Sequence, residues 1–273
     1  MAQEWLRRNP PGANRKISFG TVKYYARQMK AGAWPKTGQP VIFDVNGVLK
    51  DAQHRLWACL MSGTAFPTFV VTDVPDHPRL FAYLDNGKVR SLADALQTAG
   101  YNGVSPTIKQ ILHIEYEFAG YTPSAKTQMP RLTPPEIIDM VEQLPNAVTA
   151  ARLASSDWEE AVRVVGAKDV VGYAGMRILD LHGQEIADDF FGQIGFVNDP
   201  DPTEQAVKFR KLMAENAKKE KPMKKHQVLG NLIKVFNHWV SGQELPKRWA
   251  MQVNEDFPQF APPSETVTAE AAE

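Results

Sequence analysis

Asp51-Ala52-Gln53-His54-Arg55 places a carboxylate, an amide, an imidazole and a guanidinium almost side by side. Arginine offers a planar donor fork that matches phosphate, and histidine a ring that titrates near neutrality. A carboxylate beside an anion repels it unless a metal or a proton intervenes. Asp51 therefore reads as a magnesium ligand or as a general base toward a hydroxyl, with His54 as its catalytic companion. Gln53, His54 and Arg55 are the candidate phosphate or nucleotide contacts. The plainer alternative is that Asp51 caps a helix and pairs with Arg55 four residues on.

Three further clusters carry charge. Lys88 and Arg90 flank the turn Asp85–Ser91 and are candidates for a second phosphate contact; Asn14-Arg15-Lys16 is a third basic arm. Between Lys208 and His226 stand Lys208, Arg210, Lys211, Lys218, Lys219, Lys221, Lys224 and Lys225 against Glu215 and Glu220, eight positive charges less two negative, an excess of six. Within it Lys218, Lys219, Lys221, Lys224 and Lys225 form the candidate nucleic-acid patch, which reads equally as a solvated loop. Cys59 is the single cysteine, so no intrachain disulfide forms. His113, His182 and His238 have no metal-ligand spacing, and no glycine-rich loop with Lys-Ser/Thr occurs.

The elements that must hold the box follow from periodicity. Ser18 caps a helix over 17–29, and 39–44 reads as a strand. Asn46-Gly47 signals a two-residue hairpin to a short strand at 48–50. Residues 56–61 read as a buried helix, 66–71 as a third strand and 91–99 as a helix. From 105 the pattern turns helical: 108–118, 134–144, 158–165, 170–181, 184–194 and 228–240. The run Phe236, Trp239, Trp249, Phe257, Phe260 reads as core. A Gln-His-Arg cluster between a strand and an apolar helix faces a large desolvation cost if it points inward. The expectation is that it projects over the helix N-terminus, where amides accept anions.

The 273 residues are 43% hydrophobic and 23% charged, with 31 basic and 31 acidic side chains, so any nucleic-acid role needs a local patch. The opening MAQEWLRRNPP has no apolar core and reads as no secretory signal. No run approaches the roughly 18 apolar residues of a membrane span. A cytoplasmic protein with no membrane partner is expected.

The order Ile17-Ser18, helix, Gly32, Gln39-Pro40-Val41-Ile42, Gly47, DAQHRLWACLMSG resembles the N-terminal domain of ParB proteins over about residues 14–100. The box is similar to the Gly-Cys-His-Arg box of sulfiredoxin and to the Asp-Gly-His-His-Arg box of the free-serine kinases. It is most similar to the Asp-Gly-Gln-His-Arg proteins of phages and mobile elements. The residue pattern gives an α+β fold with a mixed part over 1–104, an all-helical domain over 105–260 and a Pro, Ala, Thr and Glu-rich tail over 261–273 read as disordered; the resemblance makes the first a small ParB/sulfiredoxin-like mixed-sheet domain. It also implies a nucleoside triphosphate, CTP or ATP with Mg2+, its phosphates on Arg55, and DNA as a candidate partner. A ParB-like, DNA-associated nucleotide- or phosphate-binding protein is the leading expectation. The alternatives are an NTP hydrolase or phosphotransferase acting on a small hydroxyl compound or modified base, and a protein-interaction module with a decayed nucleotide site. Ala52 stands where most relatives have glycine, and Gln53 where sulfiredoxin has its cysteine. Sequence alone gives no oligomeric state.

Overall fold

Residues 1–10, 14, 16–76, 91–119, 132–252 and 255–263 are described by the computed structural model. Among them eleven helices and one three-stranded mixed sheet make a predominantly helical α+β protein. The chain divides into two units, residues 1–90 with 130–135 and residues 91–129 with 136–273. The expected boundary was 104. The observed division precedes α4 (Leu92–Thr98), whose Leu96 is fully buried in the core of the helical unit beside Ile108 of α5 (Ser105–Ala119).

In the first unit α1 (Ala2–Arg7) and α2 (Phe19–Lys30) precede β1 (Val41–Asp44) and β2 (Leu49–Asp51). α3 (Gln53–Ser62) and β3 (Val70–Val74) follow. The sheet order is β2-β1-β3, with β1 antiparallel to β2 and parallel to β3. The hairpin forms where expected but with a three-residue loop. The Gly47 amide donates to the Asp44 carbonyl (2.9 Å) and the Asp44 amide to that of Val48 (3.0 Å), with Gly47 left-handed at φ +73°. That is a type I turn followed by a glycine bulge. A second irregularity follows: Ile42 faces Asp51 and Phe43 faces Leu49, which leaves Lys50 as the extra residue. β3 begins at Val70, later than the expected 66, because Phe66 is drawn onto Trp34 (ring centroids 6.1 Å) and Pro67 has no amide for the ladder. α1 was not anticipated; its Trp5 packs edge-to-face on Phe43 at 5.7 Å.

The helical unit continues with α6 (Pro134–Gln143), α7 (Asn146–Leu153), α8 (Glu159–Val165), α9 (Lys168–Gly195), α10 (Glu204–Ala217) and α11 (Lys225–Val240). α9 is two helices joined at Gly183, whose φ of +82° breaks the spiral where the sequence separates 170–181 from 184–194. Trp158, Phe190, Phe191, Phe209 and Phe236 are fully buried. Trp158 lies 4.5 Å from Phe191 between ring centroids and donates its indole N–H to Asp188 (2.8 Å). Trp239, Trp249, Phe257 and Phe260 pack against this core. The chain then returns along α11: the Ala261 amide donates to Asn237 (2.8 Å) and its carbonyl contacts His182 Nε2 (2.8 Å). Residues 264–273 of the expected tail lie outside the described residues. No helix among the described residues is long and apolar enough to cross a membrane.

Gly175 shows how tightly this core is closed, since a Cβ there would fall 2.2 Å from the Trp158 ring. Gly175→Ala is expected to lower unfolding free energy by about 1–3 kcal/mol through overpacking, measured by urea denaturation. An unchanged midpoint would show that the indole yields freely.

Candidate functional site

The box occupies the β2–α3 junction, and its side chains point into the first unit. Gln53, His54 and Arg55 are 4%, 7% and 5% exposed. Burying three such groups is tolerable only if their polar atoms find partners. Arg55 spends its fork on the protein: Nη1 donates to the Gln39 carbonyl (2.6 Å), and Nη2 to the Pro40 carbonyl (2.7 Å) and to Asp51 Oδ2 (2.9 Å). These carbonyls immediately precede β1, and Asp51 ends β2. One guanidinium thus ties α3 to the entry of one strand and the exit of the other.

His54 works in the same direction. Its Nε2 accepts the backbone N–H of Ser18 at 3.0 Å, so that nitrogen carries no proton. Ser18 is the N-cap of α2, its hydroxyl accepting the Thr21 amide at 3.4 Å, and His54 therefore satisfies one more amide at that helix start. Gln53 Oε1 accepts from Asn9 (3.3 Å). Asn9 in turn is held by Asn14, which also donates to the Leu49 carbonyl (2.7 Å). Asn9 and Asn14 thus link the edge strand to the box.

Asp51 uses both oxygens, one on Arg55 and the other on the Ala52 amide (2.5 Å). The pairing with Arg55 is the one set out in the plainer alternative, but the N-cap of α3 is Ala52 and no side chain caps that helix. Ala52 is buried and left-handed, φ +85° and ψ 7°. A non-glycine residue pays about 1–2 kcal/mol for that conformation, which glycine would adopt without the cost. Gln53, His54 and Arg55 do not present to solvent the donors that the anion-binding expectation assigned to them, and the magnesium role expected of Asp51 meets a carboxylate already engaged. Among the described residues no group of three or more His, Cys, Asp or Glu is placed to hold a metal ion.

One buried ionic cluster escaped the sequence reading. Asp44 Oδ1 accepts the amides of Asn46 (2.9 Å) and Val48 (2.8 Å), and Lys50 Nζ lies 2.9 Å from both Asp44 and Asp76. The bulge at Lys50 supplies the reach. Burial pushes the Asp44 carboxyl up, but Lys50 and the two amides outweigh it and hold it below its usual value. The signal was available: an aspartate two residues before Asn-Gly is a turn organiser. Cys59 sits half-buried against the α2 core, and burial raises its thiol above the usual value, which suits packing rather than nucleophilic attack.

Lys88 and Arg90 lie outside the described residues, as does Arg15; Ser91 forms a capping box with Asp94 at the start of α4. The lysine patch separates into two classes. Lys208 pairs with Glu204 and donates to the Leu245 carbonyl (3.1 Å), while Arg210 donates to the Phe196 carbonyl. Lys218, Lys219, Lys221 and Lys224 are exposed and have no carboxylate partner among the described residues. They occupy the connection from α10 to α11, which is shaped from below by buried Asn216 accepting the Met223 amide at 2.7 Å. Lys225 opens α11 and pairs with Asp169 at 2.5 Å.

Arg55→Ala is expected to cost about 3–5 kcal/mol in urea denaturation, because it strands the Pro40 carbonyl and takes a donor from both the Gln39 carbonyl and Asp51. Arg55→Lys recovers only part, having one point charge for a three-way fork. A variant as stable as wild type would mean the guanidinium is not a structural tie. Comparison with protein-family models, with curated proteins and with solved structures finds no match for this sequence.

Proposed function

We propose that the protein binds nucleic-acid backbone through the lysine-rich connection between α10 and α11, with the Asp51–Arg55 box serving the fold of the first unit. The observation that carries this reading is the charge at the start of α11. Lys224 is its N-cap and the first turn holds no acidic residue, while the Lys225 that follows is held by Asp169. A helix N-terminus already has positive partial charge, so cations there are opposed by about 0.3–1 kcal/mol each. Lys218, Lys219 and Lys221 add to the same potential without a counter-ion. Phosphates relieve such a surface, and a chain of zero net charge binds them only where its cations are gathered. The order helix, strand, hairpin, box, helix in residues 14–100 supports the resemblance to ParB-type domains, and with it an association with DNA. A nucleoside triphosphate with Mg2+ at the box would require Arg55 to exchange three protein partners for phosphate, so the geometry favours the lysine connection as the phosphate contact.

A second reading, a protein-interaction module, is favoured by Trp57, Leu60 and Met61. They stand 42%, 41% and 49% exposed at helical spacing on the outer face of α3. Light scattering on Trp57→Glu separates it: a wild-type oligomer that dissociates in the variant supports it, and two identical monomers dismiss self-association.

Fluorescence anisotropy with labelled duplex DNA across a salt series tests the leading reading. Each phosphate contact contributes about 0.9 to the slope of log affinity against log salt, so replacing Lys218, Lys219 and Lys221 by alanine should weaken binding and flatten the slope by up to about 2.7. Equal slopes in wild type and variant would place any binding elsewhere.

A further inference from the structure

A cleft of about 450 Å3 opens within the helical unit, among α5, the first turn of α9 and the first turns of α11. Its size falls in the range of small-molecule sites, about 300–1,000 Å3. Ile114, Val170 and Leu229 supply an apolar wall, and Lys109, His113 and His226 supply nitrogens. None of these three polar side chains has a hydrogen bond or ion pair among the described residues. Lys109 and His113 are half-buried, where an unpaired ammonium and an unpaired imidazole are costly. Of the two carboxylates that line the cleft, Asp169 is held by Lys225, and Glu117 stands exposed a turn beyond His113 on α5.

We infer that this cleft binds a phosphate monoester carried on a planar or apolar body, its terminal oxygens on Lys109, His113 and His226 and its body against Ile114, Val170 and Leu229. Phosphate monoester is the class indicated because three side-chain nitrogens without a partner among the described residues line one cleft, one of its two carboxylates, Asp169, is already held by Lys225, and an apolar wall lies beside them. A dianion also compensates more than one cation. The site is distinct from the lysine connection, although both draw on the start of α11, and it does not depend on the nucleic-acid reading.

The electrostatics give the binding a proton linkage. Burial and the neighbouring Lys109 lower His113 below the usual imidazole value against the upward pull of Glu117; burial and Lys224 lower His226. Asp169, the one carboxylate that α9 contributes, is neutralised by Lys225. The neutral form of both rings is therefore favoured in the empty cleft, and a bound dianion favours their protonation. Both values rise on binding, so affinity increases as pH falls through the imidazole range, until the phosphate itself takes up a proton near about pH 6.

The test is an NMR titration of the full chain, following imidazole carbon-bound protons assigned through His113→Gln and His226→Gln. Phenyl phosphate, inorganic phosphate and benzoate are the probes. The expected result is that phenyl phosphate raises the apparent pKa of both rings by about one unit, equivalent to about tenfold tighter binding to each protonated ring. Lys109→Met should weaken phenyl phosphate at least about tenfold, from loss of one charge-assisted contact, with the rest of the spectrum unchanged. Inorganic phosphate should bind more weakly for want of the apolar wall. Benzoate as tight as phenyl phosphate overturns the phosphate assignment, and inorganic phosphate as tight as phenyl phosphate overturns the role of the wall. No movement of either histidine, or undiminished binding in Lys109→Met, overturns the site. Replacing Lys218, Lys219 and Lys221 by alanine should leave phenyl phosphate binding intact; its loss there would assign the anion to the surface lysines instead.

Discussion

The first unit depends on one buried guanidinium. Arg55 rises from the first turn of α3 and reaches two carbonyls ahead of β1 and the carboxylate that closes β2. The entry of β1, the end of β2 and the start of α3 thereby share a single set of hydrogen bonds. The carbonyls of Gln39 and Pro40 precede β1, and Arg55 meets both while the Thr68 hydroxyl reaches that of Gln39 (3.3 Å). Arginine is suited to this because its donors diverge in one plane and its charge persists at any physiological pH. The left-handed turn at Ala52 follows from the same constraint: the chain must leave β2 and enter α3 within one residue for Asp51 and Arg55 to meet.

A cation held in this way has a consequence for function. Phosphate at Arg55 would compete with three charge-assisted or short hydrogen bonds in a site shielded from water. Exposed lysines without carboxylates face no such competition. Charge in this chain sums to zero yet is unevenly spread, and the unbalanced cations gather where α10 gives way to α11. The opening turns of α11 serve two settings, an open surface on one side and a partly apolar cleft on the other. An extended polyanion suits the first and a compact one the second.

Much of the element order was legible in the sequence. The apolar spacing of Val22, Ala26 and Met29 with Ser18 ahead of it defines α2, and Gly47 marks the reversal between β1 and β2. Gly183 divides α9 where the apolar pattern breaks. Other features depended on tertiary contacts that no local pattern carries. α1 is short and holds through Trp5 on Phe43, the buried face of α7 is mostly alanine, and that of α10 sets Gln205 and Asn216 among Ala206, Phe209 and Met213. The direction of the box was the least legible feature. Desolvation alone argues that Gln53, His54 and Arg55 face outward. They face inward because Asn9, Ser18, Gln39 and Pro40, all from other segments, supply a partner for each. His113 lacked any neighbour at metal-ligand spacing, and only folding brings His226 to the same cleft.

The central claim is that Arg55 is a structural tie and not a phosphate contact. Arginine side-chain nitrogen NMR, recorded on the full chain with and without a nucleoside triphosphate and Mg2+, addresses it directly. The account predicts Arg55 Nη protons that rotate and exchange slowly, as three protein acceptors require, and that keep their positions when nucleotide is added. Rapidly averaging Nη protons, or a shift confined to Arg55 on adding nucleotide, would contradict it.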